Sequence, residues 1–204
     1  MRLYHYPFSS NARRARMTAV HLDVKLELIV VDLAKGEQRK PEFLRINPNG
    51  RVPVMDDEGF ILTESHAIMQ YLADKTSGQT VYPQEIHARA DVNRWLFWSA
   101  HHFQPAVSIL GWEYIVKPLI GAGPPDPAAV QRGEAQVSDL ARVLDEHLAG
   151  KQWLAQDRLT LADLAVASPL MSMGPARLPV TDRSNLLAWF GRVQALDAWK
   201  KTNV

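Results

Sequence analysis

Over roughly the first eighty residues the apolar positions come in short alternating runs between short helical stretches; beyond them they recur at helical intervals with hardly a strand signal. The pattern predicts two subdomains, a small α/β unit followed by an all-α unit. Residues 2–6 read as a strand, the next stretch as a helix of about a dozen residues ending near Leu22, and residues 25–31 as a second strand. A β-α-β unit of this kind requires parallel strands and a right-handed crossover. Asp56-Asp57-Glu58-Gly59 is a turn signal, so residues 54–63 read as a hairpin, followed by a helix over 65–73. Ser77-Gly78-Gln79-Thr80-Val81-Tyr82-Pro83 marks the change from sheet to helix. After it the periodicity predicts helices over 87–120, 128–148, 161–171 and 185–196. Pro105 is expected to kink or interrupt the first, and the Gly-Pro-rich 121–127 ends it. Thr160-x-x-Asp163 fits a capping box with Asp in place of Glu, a structural device for starting a buried helix.

Composition narrows the chemistry. The 204 residues carry 23 basic and 22 acidic side chains, a net charge of +1, which calls for neither nucleic acid nor an acidic membrane surface. No apolar run approaches the roughly 20 residues of a membrane span, and the chain opens directly on the strand-like 2–6, so a soluble protein of the cytoplasm is expected. There is no cysteine, which removes disulfides, thiolate metal sites and protein-borne thiol chemistry together. If a sulfur reacts here, a ligand brings it. The seven histidines form no cluster with ligand spacing, and no metal is expected.

The most informative stretch is Asn47-Pro48-Asn49-Gly50-Arg51-Val52-Pro53-Val54, with Glu64-Ser65-His66-Ala67-Ile68 following the hairpin. Proline removes a ladder donor, and a cis Val52-Pro53 bond would turn both backbone groups of Val52 outward, an edge that can pair with an extended peptide. A helix opening at Glu64-Ser65, with a hydroxyl and unpaired N–H groups, suits a carboxylate. Together they describe a pocket for a small peptide.

These residues resemble the glutathione site of the cytosolic glutathione S-transferase family. So do residues 3–14, with Leu3-Tyr4-His5-Tyr6-Pro7-Phe8-Ser9-Ser10-Asn11-Ala12-Arg13-Arg14, the Lys40-Pro41-Glu42-Phe43-Leu44 run, and Leu159-Thr160-Leu161-Ala162-Asp163-Leu164-Ala165. The landmarks fall in family order over nearly the whole chain, and the resemblance is to bacterial, serine-type members (theta-, delta- and phi-like). It implies a thioredoxin-like glutathione-binding domain over 1–76, a linker over 77–86, and an all-helical domain over 87–204 that carries the wall of an electrophile site. It further implies a homodimer, with glutathione as co-substrate and a small apolar electrophile as partner.

By the same resemblance Val52 and Pro53 pair with the cysteinyl part of glutathione, Glu64 receives the γ-glutamyl ammonium and Ser65 its carboxylate. Ser9 matches the serine of the Ser-x-x-x-Arg pattern, counted back from Arg13; Ser10 and Tyr6 are the alternatives, Tyr4 shares the face of Tyr6, and either serine could be a plain helix cap. Cysteine-type classes are excluded. A free thiol ionises near pKa ~8.5, and lowering it by two units takes about 2.7 kcal/mol, within reach of one charged hydrogen bond plus a helix end. Gln38, Arg39 and Arg51 are candidates for the glycyl carboxylate; Gln38 stands where many members have histidine, Arg51 where they have lysine or glutamine. His66 is expected to face solvent or a partner subunit. Phe8, Trp98, His101, His102, Phe103, Trp112 and Tyr114 are candidates for the electrophile wall, although an aromatic helical stripe also suits a core. The expected activity is conjugation of glutathione to small hydrophobic electrophiles. Its rivals are a glutathione-dependent peroxidase, isomerase or dehalogenase, and a non-catalytic interaction protein on the same fold.

Overall fold

The computed structural model describes residues 1–203, which divide into two compact units, residues 1–82 with 196–203, and Pro83–Ala195. In the first, β1 (Arg2–His5), β2 (Glu27–Val30), β3 (Val54–Asp57) and β4 (Phe60–Leu62) form one sheet in the order β2-β1-β3-β4. β1 and β2 are parallel across α1 (Ser10–His21), as the β-α-β reading requires, and β3 and β4 are antiparallel additions. Alternation sorts the side chains. Leu3 and its register partner Met55 face α1 and α3 (Ser65–Lys75), where they pack with Ala15, Ala19, Ile68 and Leu72. Tyr4 and its partner Val54 face the other way, onto Val31, Val52 and Phe43 of α2 (Pro41–Ile46). The result is thioredoxin-like, as the resemblance implies.

The second unit is helical. One long rod runs through α4 (Ile86–Trp98), α5 (Gln104–Gly111) and α6 (Lys117–Ile120), joined by π-helical turns at Ser99–Phe103 and Trp112–Val116. Pro105 therefore does not break the helix. A proline has no N–H for the carbonyl four residues back, and each π turn ends two residues before a proline, Pro105 or Pro118, so the wider turn absorbs the missing bond. α7 (Pro127–Leu148) is capped by the Asp126 carboxylate, which accepts from the Ala128 N–H at 3.0 Å. α8 (Leu161–Ala167) is buried at every residue, continues as a 3-10 turn over Ser168–Ser172, and is followed by α9 (Ser184–Ala195).

The Thr160–Asp163 box forms at the start of α8. Asp163 is fully buried and accepts from Leu154 N (2.9 Å), Thr160 N (2.8 Å), Thr160 Oγ1 (3.1 Å) and Trp189 Nε1 (2.9 Å). Burial nonetheless raises its pKa to about 6. The chain end departs from the expected boundary. Residues 196–203, including α10 (Asp197–Lys201), belong with the first unit rather than with the helical one, because α10 packs on α1. Among the described residues no helix is long and apolar enough to cross a membrane.

Candidate active site

β3 runs antiparallel to β1, and β4 antiparallel to β3. The end of β1, the start of β3 and the end of β4 therefore share one edge of the first unit. Three sequence landmarks meet there: Ser9 after β1, Val52-Pro53 before β3, and Glu64-Ser65 after β4. Both α1 and α3 begin at this edge, so their N-terminal N–H groups and positive dipole ends point to it.

Ser9 is the N-cap of α1. Its backbone is extended (φ −82°, ψ 116°), its carbonyl accepts from Arg13 N at 2.8 Å, and its Oγ accepts from Ala12 N at 3.2 Å. Capping uses only an acceptor site, so the hydroxyl hydrogen remains available to a ligand atom. The cap reading and the donor reading are compatible. Ser10 is the first helical residue, and Tyr6 is half-buried, packed on the Val31, Phe43, Val52 and Val54 cluster with its ring 5.6 Å from that of Phe8.

The Val52-Pro53 bond is cis. Among the described residues no protein group pairs with the backbone N–H or C=O of Val52, whose side chain is buried. The loop before it is pinned by Asn47, 3% exposed, whose Nδ2 donates to the Arg51 carbonyl at 2.7 Å and whose Oδ1 accepts from Asn49 N at 3.1 Å. Gly50 has φ +58°, and a Cβ there would stand 3.0 Å from the Gln38 carbonyl oxygen and 3.3 Å from Arg39 Nη1. That close approach brings Gln38 and Arg39 beside Arg51. Arg39 and Arg51 are exposed; Gln38 is half-buried, with Oε1 buried and unpartnered.

Glu64 has φ 65° and ψ 110°, a costly conformation for a non-glycine residue, and is exposed, while Ser65 is buried. His66 is half-buried, and Arg14 Nη1 donates to its Nε2 at 2.7 Å, joining the second turn of α1 to the first turn of α3. Arg14 is fully buried, and desolvation lowers its pKa to about 9, which leaves it cationic at neutral pH. The edge thus has a fixed positive charge behind two helix ends.

Of the proposed electrophile residues, Phe8 is 67% exposed in the first unit and the rest lie in the second. Phe103 is fully buried and stacks on Trp98 at 5.4 Å, while Trp98 also meets Trp95 edge-on at 5.3 Å. Phe103 is therefore core. His101 and His102 are both exposed on the first π turn, and His101 stacks on Phe97 at 6.3 Å. Trp112 and Tyr114 lie on the second π turn; Trp112 is exposed and Tyr114 has the Arg177 guanidinium 4.6 Å over its ring. Asn47, Arg14 and Arg177 were not singled out from the sequence as functional. Only Asn47 had a local signal, since Asn-Pro-Asn-Gly favours side-chain-to-backbone turns. Among the described residues no group of three or more histidine, aspartate or glutamate side chains is placed to hold a metal ion.

Residues 1–74 match the family model described as the N-terminal domain of glutathione S-transferase, and residues 103–197 the C-terminal domain model. The chain is 35% identical over 207 residues to glutathione S-transferase 3 of Zea mays, covering 99% of this chain and 92% of that protein. It is 33% identical over 206 residues to glutathione S-transferase F10 of Arabidopsis thaliana, covering 97% and 94%. Among solved structures, glutathione transferase F7 from Populus trichocarpa superposes with a TM-score of 0.91 at 28% identity, covering 98% of this chain and 96% of that one.

Proposed function

The chain belongs to the cytosolic glutathione S-transferase family and is a glutathione transferase, and from that premise we propose how its residues divide the work. The observation that carries the proposal is the meeting of Ser9, Val52-Pro53 and Glu64-Ser65 on one edge, at two helix N-termini. Glutathione lies along that edge. Its cysteinyl backbone pairs with Val52, its γ-glutamyl ammonium with Glu64, and its γ-glutamyl carboxylate with the Ser65 hydroxyl and the first N–H groups of α3. Gln38, Arg39 and Arg51 take the glycyl carboxylate.

The sulfur then stands at the start of α1, where the Ser9 hydroxyl donates to it and favours the thiolate, the thiol proton passing to water. The thiolate forms a bond to an electrophilic carbon. In substitution the bond to the leaving group breaks and takes the electron pair; in addition the electron pair moves onto the substrate, which collects a proton. His101, His102, Trp112 and Tyr114 of the helical unit are the residues proposed to receive the apolar electrophile. The protein works as a homodimer in the cytoplasm, with neither nucleic acid nor membrane as partner.

Isothermal titration with glutathione, with far-ultraviolet thiolate absorbance read in the same samples at neutral pH, tests this. Binding with a thiolate signal that Ser9→Ala removes supports the assignment. Binding whose thiolate signal survives Ser9→Ala moves the role to Ser10 or Tyr6, and no binding overturns the glutathione site.

A further inference from the structure

Arg177 has a φ of 52°, a left-handed conformation that glycine adopts freely and arginine only at a cost. The turn that holds it there is closed. Ala176 N donates to the Ser172 carbonyl at 2.8 Å, Arg177 N to the Gly174 carbonyl at 3.0 Å and Leu178 N to the Met173 carbonyl at 3.0 Å. The side chains of Ala176 and Leu178 on either side are buried, whereas Arg177 itself is exposed. Folding thus fixes the turn through its neighbours, and glycine would suit position 177 better than arginine does. An arginine kept at such a position points to a use for its side chain.

That side chain reaches the second π turn, Trp112–Val116, where its guanidinium carbon lies 4.6 Å over the ring of the half-buried Tyr114. Both residues belong to the helical unit. An aromatic ring engages the face of a guanidinium and leaves the N–H donors in its plane free. No carboxylate takes them up: among the described residues Arg177 has neither an ion pair nor a side-chain hydrogen bond. Glu113, the acid on the same π turn, is buried and already accepts from Lys117 Nζ at 2.6 Å and Asp126 N at 2.7 Å. The result is a cation with an open donor fork, stacked on an aromatic side chain assigned to the electrophile.

We propose that Arg177 is a specificity-determining residue of the transferase reaction, selecting aromatic electrophiles that carry a carboxylate. The proposal rests on the reading that Tyr114 receives the electrophile, and it names the substrate class. The aromatic body of such a substrate lies against Tyr114, and its carboxylate accepts two parallel N–H bonds from the guanidinium. The carboxylate takes no part in the bond that forms. It holds the substrate and leaves the reacting carbon to glutathione.

Steady-state kinetics of the full chain at saturating glutathione test this, with para-(chloromethyl)benzoate against its neutral counterpart para-(chloromethyl)benzamide. In both, the glutathione sulfur bonds to the benzylic carbon while chloride leaves with the electron pair of the broken bond. The parent is expected to prefer the carboxylate. In Arg177→Gln the ratio of kcat/KM for the carboxylate to that for the carboxamide should fall about tenfold, chiefly through KM. Arg177→Lys should keep an intermediate ratio, since an ammonium retains the charge without the fork. Arg177→Gly should lower the ratio as Arg177→Gln does, and because glycine suits the positive φ, a fall there cannot come from a turn that fails to form. Tyr114→Ala should lower kcat/KM for both compounds. If Tyr114→Ala leaves both at the parent value, the electrophile does not lie on the second π turn, and the reading and the proposal fall together. If Tyr114→Ala lowers both while Arg177→Gln and Arg177→Gly keep the parent ratio, the proposal alone is overturned. No turnover of the carboxylate by the parent overturns it as well.

Discussion

The Arg13 guanidinium lies 3.7 Å over the Trp199 ring, and its Nη2 donates to the Trp199 carbonyl at 3.0 Å. The same side chain reaches Thr202 Oγ1 and Asn203 Oδ1, both at 3.4 Å. An arginine that forms part of the serine pattern near the amino terminus thus fastens the end of the chain onto α1, the helix that Ser9 caps. Cutting this tie removes the charged hydrogen bond to the Trp199 carbonyl, which still accepts from Thr202 N and Oγ1, together with a desolvated cation–π contact. Arg13→Met should cost about 2–4 kcal/mol in urea unfolding. Arg13→Lys should recover only part, since an ammonium cannot stack and fork at once. Equal stability of Arg13→Met and the parent would rule the anchor out.

Stability should carry the signature of His5. Unfolded, this imidazole takes up a proton near pH 6.5; folded, burial first and the Arg16 charge second hold its pKa to about 4. Between those values the unfolded chain binds more protons, so the His5 contribution is complete above pH 6.5 and is lost as pH falls to 4, by at most about 3 kcal/mol. Asp163 acts in the opposite sense. Its pKa rises from 3.8 to about 6 on folding, so its contribution is complete below 3.8 and is lost as pH rises to 6. The parent therefore has a flattened profile between pH 4 and 6. His5→Asn should remove the opposing slope, and the stability difference from the parent should change steadily through that window. A difference independent of pH would refute the assignment.

Asp163 joins four donors: two on Thr160, one on Leu154 and the indole of Trp189. Asp163→Ala should destabilise by about 3–5 kcal/mol. Asp163→Asn should cost nearly as much, because an amide NH2 would face N–H donors. Thermal unfolding of the two variants side by side tests this, and a near-neutral Asn variant would contradict it.

Gly133 sits in α7 where α5 crosses it. A Cβ there would lie 2.9 Å from Leu110 Cδ2 and 3.0 Å from Ile109 Cγ2, and Leu110 is wholly buried. Alanine gains about 1 kcal/mol of helix propensity, against about 1–3 kcal/mol for overpacking. The Gly133→Ala variant should be net destabilised, by about 1 kcal/mol in denaturant titration. A gain in stability would show that α5 and α7 separate freely.

At the active-site edge, Ser65→Ala should weaken glutathione about tenfold by removing one hydrogen bond to a charged group. Affinity within a factor of two of the parent would show that the α3 N-terminus does not hold the γ-glutamyl end. Calorimetry with Ser65→Ala and Ser9→Ala separates the two ends, since Ser9→Ala should chiefly raise the thiol pKa.

What the sequence settled were features written in neighbouring residues. The β-α-β start, the hairpin over Asp57 and Gly59, the Thr160–Asp163 cap and the helix opening at Ser65 each depend on local turn and capping chemistry, and each stands close to its expected place. Ser9, Val52-Pro53 and Glu64-Ser65 are each short local patterns, and the strand order brings the three to one edge. What only the tertiary structure decided were relations across long stretches of chain. Trp199 lies 186 residues from Arg13, and His66 lies 52 from Arg14. No periodicity encodes such pairings. They arise because α1 is closely packed on α3 and on α10, so buried guanidinium groups must take whatever acceptors the fold brings within reach. The same cause explains Pro105, whose missing N–H was plain in the sequence, while surrounding packing decided that the helix would widen into a π turn rather than end.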